Sequence, residues 1–220
     1  MLDKIKGAIF DMDGTLINSL IFWDVLWDDL GEKFLGGKKF RPTPQEDKNM
    51  RTMTLHDAMC YLYSIYHIGE DAEKLAEYAL EKLGRFYITD VKIKEGAKEF
   101  LEYCKEKGVK MCVASASTKE HITETLKHLG IDKYFGEIFS CEEVGKGKEE
   151  PDVYLCAIKY LGTEKEETCV FEDSLTAIKT AGKIGIKTVG VYDKYNYGQE
   201  EMKKLADEYI DDGETLLKLI

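Results

Sequence analysis

The sequence predicts an α/β protein with a doubly wound parallel sheet and an inserted α-helical domain. Short runs rich in Val, Ile and Cys alternate with amphipathic helical patterns along most of the chain, as expected for a sheet covered by helices on both faces. Between residues 16 and 90 this alternation stops, and only helical patterns occur. We therefore expect a core domain formed by residues 1–15 and 91–220, and a helical domain formed by residues 16–90.

The strands and helices of the core follow from apolar runs and from the residues that end them. The predicted strands are Ile5–Phe10, Val109–Ala114, Thr168–Phe171 and Thr188–Val191. The predicted helices are Glu95–Lys107, Thr118–Leu129 and a third that begins at Pro151 and ends at Gly162. Gly108 and Gly130 directly follow the first two helices, and glycine is common at that position. Pro151 suits a helix start because the missing N–H has no helical partner there.

The inserted segment contains a strongly helical stretch, Asp71–Arg85, and an aromatic-rich region near its start. Trp23 and Trp27 are four residues apart and so lie on one helical face. Packing inside the helical domain is the favoured interpretation of both, while Trp23 is also a candidate for lining a substrate pocket. The segment Phe34–Asp47, with two glycines and two prolines, is predicted to be a loop.

Composition narrows the functional classes. A formal charge of -11 and a pI near 5.0 argue against nucleic-acid binding, which depends on clustered Lys and Arg. No apolar run approaches the ~20 residues that a membrane span needs. We therefore expect a soluble protein that acts on neither nucleic acid nor membrane, and we expect a monomer, although the sequence leaves the oligomeric state open.

The cysteines and histidines suggest no second metal site. Six cysteines are spread through the chain without a Cys-x-x-Cys pair, so neither a zinc site nor a redox motif is indicated, and a reducing cytoplasm is the expected location. The four histidines, at positions 56, 67, 121 and 128, show no spacing that would join them in a metal cluster.

Chemically capable side chains follow three of the predicted strands. Asp11 follows the first strand, Ser115 the second, and Glu172 with Asp173 the third. Because the carboxyl ends of parallel strands lie along one edge of a sheet, these residues should converge. Asp13 follows Asp11 by two positions and adds a fourth carboxylate. Such a cluster repels itself unless protons or a cation are present, and Mg²⁺ is the ion that best suits a few carboxylates and a phosphate.

Groups able to bind a phosphate accompany the carboxylates. Ser115 and Ala116 precede a helix, and helix N-termini bind anions through free backbone amides. Lys148 lies three residues before Pro151 and can supply a positive charge; Lys146 is the alternative lysine. The sequence thus contains the parts of a phosphoryl-transfer site.

These residues occur in a recognisable order. The motifs are Asp11-Met-Asp-Gly-Thr-Leu-Ile-Asn-Ser19, Ser115, Lys148-x-x-Pro151-Asp152 and Glu172-Asp173-Ser174. They resemble the four motifs of the haloacid dehalogenase superfamily, and the resemblance spans nearly the whole chain, with residues 16–90 in the place of the helical cap. It implies a Rossmann-like core and favours Lys148 over Lys146, because its distance to Pro151 matches the motif.

The resemblance also implies a role for each residue. Asp11 would be the nucleophile that forms an aspartyl phosphate, and Asp13 the general acid and base. Thr15, Ser115, Ala116 and Lys148 would form the phosphate site. Asp11, Asp13, Glu172 and Asp173 would hold Mg²⁺, with Asp13 expected to contribute its backbone carbonyl. Glu172 would either bind the ion directly or lie behind the other ligands.

The resemblance leaves the substrate open but favours phosphate-ester chemistry, because the dehalogenase and phosphonatase branches lack an acid at the position of Asp13. We expect a phosphatase that acts on a small phosphorylated metabolite, such as a sugar phosphate. Arg51 is the best candidate in the helical domain for contacting the substrate.

Two functions other than a phosphatase are a sugar-phosphate mutase and a regulator that binds phosphate without catalysis. A sugar-phosphate mutase similar to β-phosphoglucomutase would carry a histidine ten residues after the acid/base aspartate, where this chain has Trp23. A phosphate-binding regulator without catalysis would be expected to lack part of the site, and no part is missing.

Overall fold

The computed structural model describes residues 4–51 and 53–220, and it confirms the α/β fold. Six strands form one parallel sheet in the order β3-β2-β1-β4-β5-β6. The strands are β1 (Gly7–Phe10), β2 (Lys110–Ser115), β3 (Ile138–Ser140), β4 (Thr168–Glu172), β5 (Lys187–Val191) and β6 (Glu208–Ile210). The four runs predicted as strands form the middle of this sheet. Their side chains are buried on both faces of the sheet, which is why they appear in the sequence as continuous apolar runs.

The two outer strands, β3 and β6, were not predicted. Each has only three residues and lies at an edge of the sheet, so neither produces the continuous apolar run that marks a buried strand. The central strand is β1. Phe10 pairs with Val113 of β2 on one side and with Phe171 of β4 on the other. The residues at the carboxyl ends of these three strands therefore lie along the same edge of the sheet.

Helices flank the sheet between the strands. Those outside the predicted insert are α5 (Ala97–Glu106), α6 (Lys119–His128), α7 (Cys141–Val144), α8 (Asp152–Leu161), α9 (Leu175–Lys183) and α10 (Gln199–Leu205). The helix predicted to begin at Pro151 begins one residue later, with Pro151 as its N-cap, and ends before Gly162 as expected. Among the described residues, no helix combines the length and the apolar character that crossing a membrane requires.

The chain forms two compact units. One runs to Leu20 and resumes at Val91–Ile220, and the other is Ile21–Asp90. Residues 16–20 therefore pack with the first unit, whereas the sequence-based boundary assigned them to the helical one. The reason lies in the two connecting segments: Ile17 forms antiparallel bridge pairing with Ile93, and the Lys94 N–H donates to the Leu16 carbonyl at 2.8 Å.

Within its described residues, the second unit contains four helices, α1 (Phe22–Phe34), α2 (Pro44–Met50), α3 (Leu55–Tyr66) and α4 (Ala72–Thr89). The prediction of a loop over Phe34–Asp47 was wrong at its end, because α2 begins at Pro44. A capping box explains this start: the Thr43 hydroxyl accepts from the Glu46 amide, and the Glu46 carboxylate accepts from the Thr43 amide at 2.8 Å. The signal, Thr-Pro-x-Glu, was present in the sequence.

Candidate active site

The carboxyl edge of the three central strands brings the predicted residues together. Asp11 directly follows β1, and its amide donates to the Phe171 carbonyl at 3.0 Å, which continues the ladder with β4 by one residue. Ser115 ends β2 and Glu172 ends β4. Pairing to the neighbours on both sides therefore fixes the backbone of Asp11 in the centre of the edge.

Three carboxylates form the centre of the site. Asp11, Glu172 and Asp173 are buried, and each offers an oxygen within 4.8 Å of the others. The Lys148 ammonium contacts the carboxylates of both Asp11 and Glu172. The amide of Ser174 donates to the second Glu172 oxygen at 3.1 Å. When ionised, three carboxylates face one ammonium, so the cluster keeps an excess of negative charge.

Burial is the largest cause of the raised pKa values of Asp11 and Asp173, and the neighbouring carboxylates add to it. Burial, with smaller effects from Glu172 and Asp13, raises the pKa of Asp11 from 3.8 to about 8 against the opposing charge of Lys148. Burial and the charges of Asp11 and Glu172 raise the pKa of Asp173 well above its usual range. Burial disfavours the charged form of Lys148, but the Asp11 and Glu172 carboxylates outweigh it and raise the Lys148 pKa.

The cluster fits a hard divalent cation. All three ligand groups are carboxylates, which suit Mg²⁺ better than softer metals, and burial leaves their charge without the solvation that water would provide. The Asp13 carboxylate does not belong to this group of three. Its predicted part in metal binding therefore rests on its backbone carbonyl, and Glu172 lies close enough to the other two to be a direct ligand.

Gly14 allows the first motif to approach Asp173. Its φ of 77° lies in the left-handed region, and a Cβ built at this position would collide with the Asp173 carboxylate, with Cγ at 2.7 Å. The absence of a side chain at Gly14 therefore makes room for one of the three carboxylates.

Serine hydroxyls hold the Asp13 side chain. The Ser117 hydroxyl donates to Asp13 Oδ2 at 2.8 Å, and the Ser115 hydroxyl lies 3.5 Å from the same oxygen. Ser140, at the end of the unpredicted strand β3, donates to the Ser117 carbonyl at 2.9 Å. The Asp13 carboxylate is thus oriented by β2 and the segment after it. Sequence reasoning missed Ser117, although it lies only two residues beyond Ser115.

The remaining predicted phosphate-site residues lie in the two loops beside these serines. Thr15 is fully buried, and within residues 4–51 and 53–220 its hydroxyl has no hydrogen-bond partner. Ala116 is exposed between β2 and α6. The helix itself begins at Lys119, where the Thr118 hydroxyl caps it by accepting from the His121 amide at 3.3 Å.

A second group of residues that the sequence did not reveal supports Asp173. The Asn196 side-chain amide donates to both the carbonyl and Oδ2 of Asp173, each at 2.9 Å. The loop that carries Asn196 is held by Lys94, whose ammonium lies 3.1 Å from Asp193 Oδ2 and donates to the Tyr192 carbonyl at 2.9 Å. Asn196, Asp193 and Tyr192 follow β5 without a motif, and Lys94 lies between α4 and α5, so only the fold connects these residues with Asp173.

The candidates in the helical unit belong to one local network. The Arg51 guanidinium lies 5.6 Å from the Trp23 ring centre, and its Nε donates to Asp47 Oδ2 at 2.7 Å. Asp47 Oδ1 accepts from the Trp27 indole N–H at 3.0 Å. Trp27 is buried, as the packing interpretation predicted, whereas Trp23 is half-buried.

The structure brings one histidine into a second cluster of possible metal ligands, which the sequence spacing did not reveal. His56, Cys60 and Glu73 form a second group whose ligand atoms all lie within 4.8 Å of one another. This group does not stand out in the sequence because its third member, Glu73, comes from the next helix. The spacing of His56 and Cys60, four residues apart on α3, was the signal available.

A profile of haloacid dehalogenase-like hydrolases matches residues 8–191, which include all four motifs and the helical unit. The chain belongs to the haloacid dehalogenase-like hydrolase family. The predicted resemblance is therefore confirmed, and the protein is an enzyme of this family, whose named members include phosphatases.

Similar proteins within the family have related descriptions. A phosphorylated carbohydrates phosphatase from Thermotoga maritima is 27% identical over 89% of this chain and 89% of its own length. A Caldanaerobacter subterraneus protein described as a candidate pyrophosphatase is 30% identical over 99% of this chain and 95% of its own length. A solved Thermotoga maritima structure, described as a candidate β-phosphoglucomutase, aligns with a TM-score of 0.82 at 25% identity and covers 98% of both chains.

Proposed function

We propose that this protein is a Mg²⁺-dependent phosphatase that hydrolyses a small phosphorylated metabolite through an aspartyl phosphate on Asp11. The observation that carries the proposal is the buried group of Asp11, Glu172 and Asp173, with Lys148 in contact with two of its members. The phosphatase description of the Thermotoga maritima relative supports the reaction class.

In the first step, an Asp11 carboxylate oxygen attacks phosphorus and the bond to the leaving oxygen breaks. Asp13 donates its proton to that leaving oxygen. In the second step, Asp13 accepts a proton from water, whose oxygen attacks phosphorus, and free phosphate leaves as Asp11 is regenerated. The Ser117 hydroxyl, 2.8 Å from Asp13 Oδ2, keeps the acid/base in one orientation through both steps.

The other residues bind and neutralise the phosphoryl group. Lys148 supplies a buried positive charge, while the Ser115 hydroxyl, the Ala116 amide and the unpartnered Thr15 hydroxyl supply hydrogen bonds. Mg²⁺ held by Asp11, Glu172, Asp173 and the Asp13 carbonyl would offset the negative charge that accumulates between nucleophile and phosphate.

The helical unit Ile21–Asp90 is proposed to act as the cap that selects the leaving group, with Trp23 and Arg51 as substrate contacts. Their support is local: the Asp47 carboxylate and the Trp23 ring hold the Arg51 guanidinium in one place. We also propose a cytoplasmic location, because all six cysteines are free. The protein is further proposed to be a monomer.

A mutase is the second candidate. It is favoured by the description of the structurally similar Thermotoga maritima protein as a candidate β-phosphoglucomutase. Trp23, in place of the expected histidine, is the observation against it, because an indole cannot serve as a general base for a sugar hydroxyl.

The test measures phosphate release from a panel of sugar phosphates, nucleotides and phospho-acids, with Mg²⁺ and after its removal by a chelator. The wild type should release phosphate from some of these compounds, and only when Mg²⁺ is present. Asp11→Asn should release phosphate from none of them. Conversion of β-glucose 1-phosphate into glucose 6-phosphate without release of phosphate would instead support the mutase. Release that persists in Asp11→Asn would contradict the proposed nucleophile.

A further inference from the structure

A group of three different metal-binding side chains lies within the helical unit, apart from the carboxylate site. His56 and Cys60 lie one turn apart on the same face of α3, and Glu73 lies in the first turn of α4. All three belong to the unit Ile21–Asp90, so the group depends on the packing of α3 on α4 alone.

The distances within the group suit coordination of one ion. One atom from each residue, namely a ring nitrogen of His56, the Cys60 sulfur and a carboxylate oxygen of Glu73, lies within 4.8 Å of the other two. A tetrahedral ion with bonds of about 2.0–2.3 Å places its ligand atoms about 3.3–3.8 Å apart, so the three atoms can share one ion after a modest movement. The side chains of His56 and Glu73 are 45% and 72% exposed and Cys60 is partly exposed, so rotation of these side chains would complete the geometry.

The kind of side chain selects the kind of metal. One thiol, one imidazole and one carboxylate form a mixed set that favours Zn²⁺ and similar transition-metal ions over Mg²⁺ or Ca²⁺, which prefer oxygen alone. The surroundings also favour a cation, because Asp57 adds a second carboxylate with Oδ1 at 3.5 Å from His56 Nδ1. Water can take the fourth position because the group lies at the surface.

We propose that His56, Cys60 and Glu73 form a Zn²⁺ site that joins the first two turns of α3 to the first turn of α4. This site is separate from the proposed phosphatase site and does not depend on it. Its ligation connects residues 17 positions apart through one ion, so its main effect is to stabilise the packing of the two helices.

The test uses the full chain, kept reduced, with Mg²⁺ in excess so that the carboxylate site is occupied. Zn²⁺ should bind with one equivalent outside that site and raise the unfolding temperature. Co²⁺ in its place should give a thiolate-to-cobalt charge-transfer band. Cys60→Ser should abolish the band, while Cys156→Ser, which changes an exposed cysteine on α8, should retain it.

Two further variants separate ligation from folding. His56→Gln and Glu73→Gln change exposed side chains, so both variants should fold normally. Replacing a residue that only supports a ligand typically lowers metal affinity by about 10- to 100-fold, so replacing a ligand should lower the Zn²⁺ affinity by at least as much. The site is refuted if Zn²⁺ binds the Cys60→Ser, His56→Gln and Glu73→Gln variants as it binds the wild type. Absence of the extra equivalent in the wild type also refutes it.

Discussion

At the scale of single residues, the side chains that hold the site in place matter as much as those proposed to react. Asn196 is the clearest example, since its amide donates two hydrogen bonds to Asp173, one to the carboxylate and one to the backbone. Its position after β5 follows no motif. Sequence reasoning therefore recognised Asp173 but could not recognise the residue that orients it.

Replacing Asn196 by Ala should weaken Mg²⁺ binding more than it slows the reaction. Without the amide, Asp173 loses a fixed orientation, and loss of such support typically costs about 10- to 100-fold in metal affinity. The measurement is the Mg²⁺ concentration that gives half of the maximal phosphate release, with Asn49→Ala on α2 as the matched control. An unchanged Mg²⁺ dependence would show that Asn196 does not position Asp173.

Replacing Ser117 by Ala should impair Asp13 selectively. Its hydroxyl bond to the Asp13 carboxylate is worth about 1.5–3 kcal/mol, which corresponds to roughly a tenfold or greater fall in rate if it acts fully in the transition state. The fall should be large for alkyl phosphates, whose leaving oxygen needs a proton, and small for p-nitrophenyl phosphate. Ser64→Ala on α3 is the control, and an equal fall for both substrates would contradict the assignment.

At the scale of elements, agreement between sequence and structure depends on how much of each element is buried. The central strands β1, β2, β4 and β5 were predicted because both of their faces are apolar. The edge strands β3 and β6 were missed because three residues give no pattern. Even so, β3 contributes to the site through Ser140, which reaches the Ser117 carbonyl. The positions of Asp11, Ser115 and Glu172 at one edge of the sheet could be predicted because each of them ends or directly follows a central strand.

Helix α2 provides the prediction at this scale. Thr43→Ala removes the hydroxyl of the capping box and should lower the unfolding temperature of the helical unit by a few degrees, since an N-cap hydroxyl typically contributes to helix stability. Circular dichroism during heating measures it. Thr43→Ser keeps the hydroxyl and should behave as the wild type; a similar loss in both variants would assign the effect to the methyl group.

At the scale of the whole molecule, the carboxylate cluster links metal binding to stability. When ionised, the three buried carboxylates leave an excess of negative charge against one ammonium, which a bound cation would relieve. A ligand that binds only the folded state stabilises it by an amount that grows with the logarithm of the ligand concentration relative to its dissociation constant. The folded protein should therefore become more stable as Mg²⁺ is added.

Mg²⁺ at a hundred times its dissociation constant should raise the unfolding temperature by about 5–10 °C, which corresponds to about 2.7 kcal/mol for a chain of this size. The Asp11→Asn variant should show a smaller rise, because it removes one of the three carboxylates. Thermal unfolding with Mg²⁺, compared with K⁺ at equal ionic strength, measures the effect. An equal rise in wild type and variant would place the responsible Mg²⁺ elsewhere.

The most direct test of the account is to find where the phosphoryl group is held. Asp13→Asn should still accept a phosphoryl group from p-nitrophenyl phosphate with Mg²⁺, since this leaving group needs no proton, but should hydrolyse the phosphoenzyme slowly. Acid quenching and peptide mass spectrometry should then find the phosphoryl group on Asp11. Phosphorylation of a residue other than Asp11 would contradict the account. So would phosphate release by the wild type if Asp11 is found phosphorylated in neither the wild type nor Asp13→Asn.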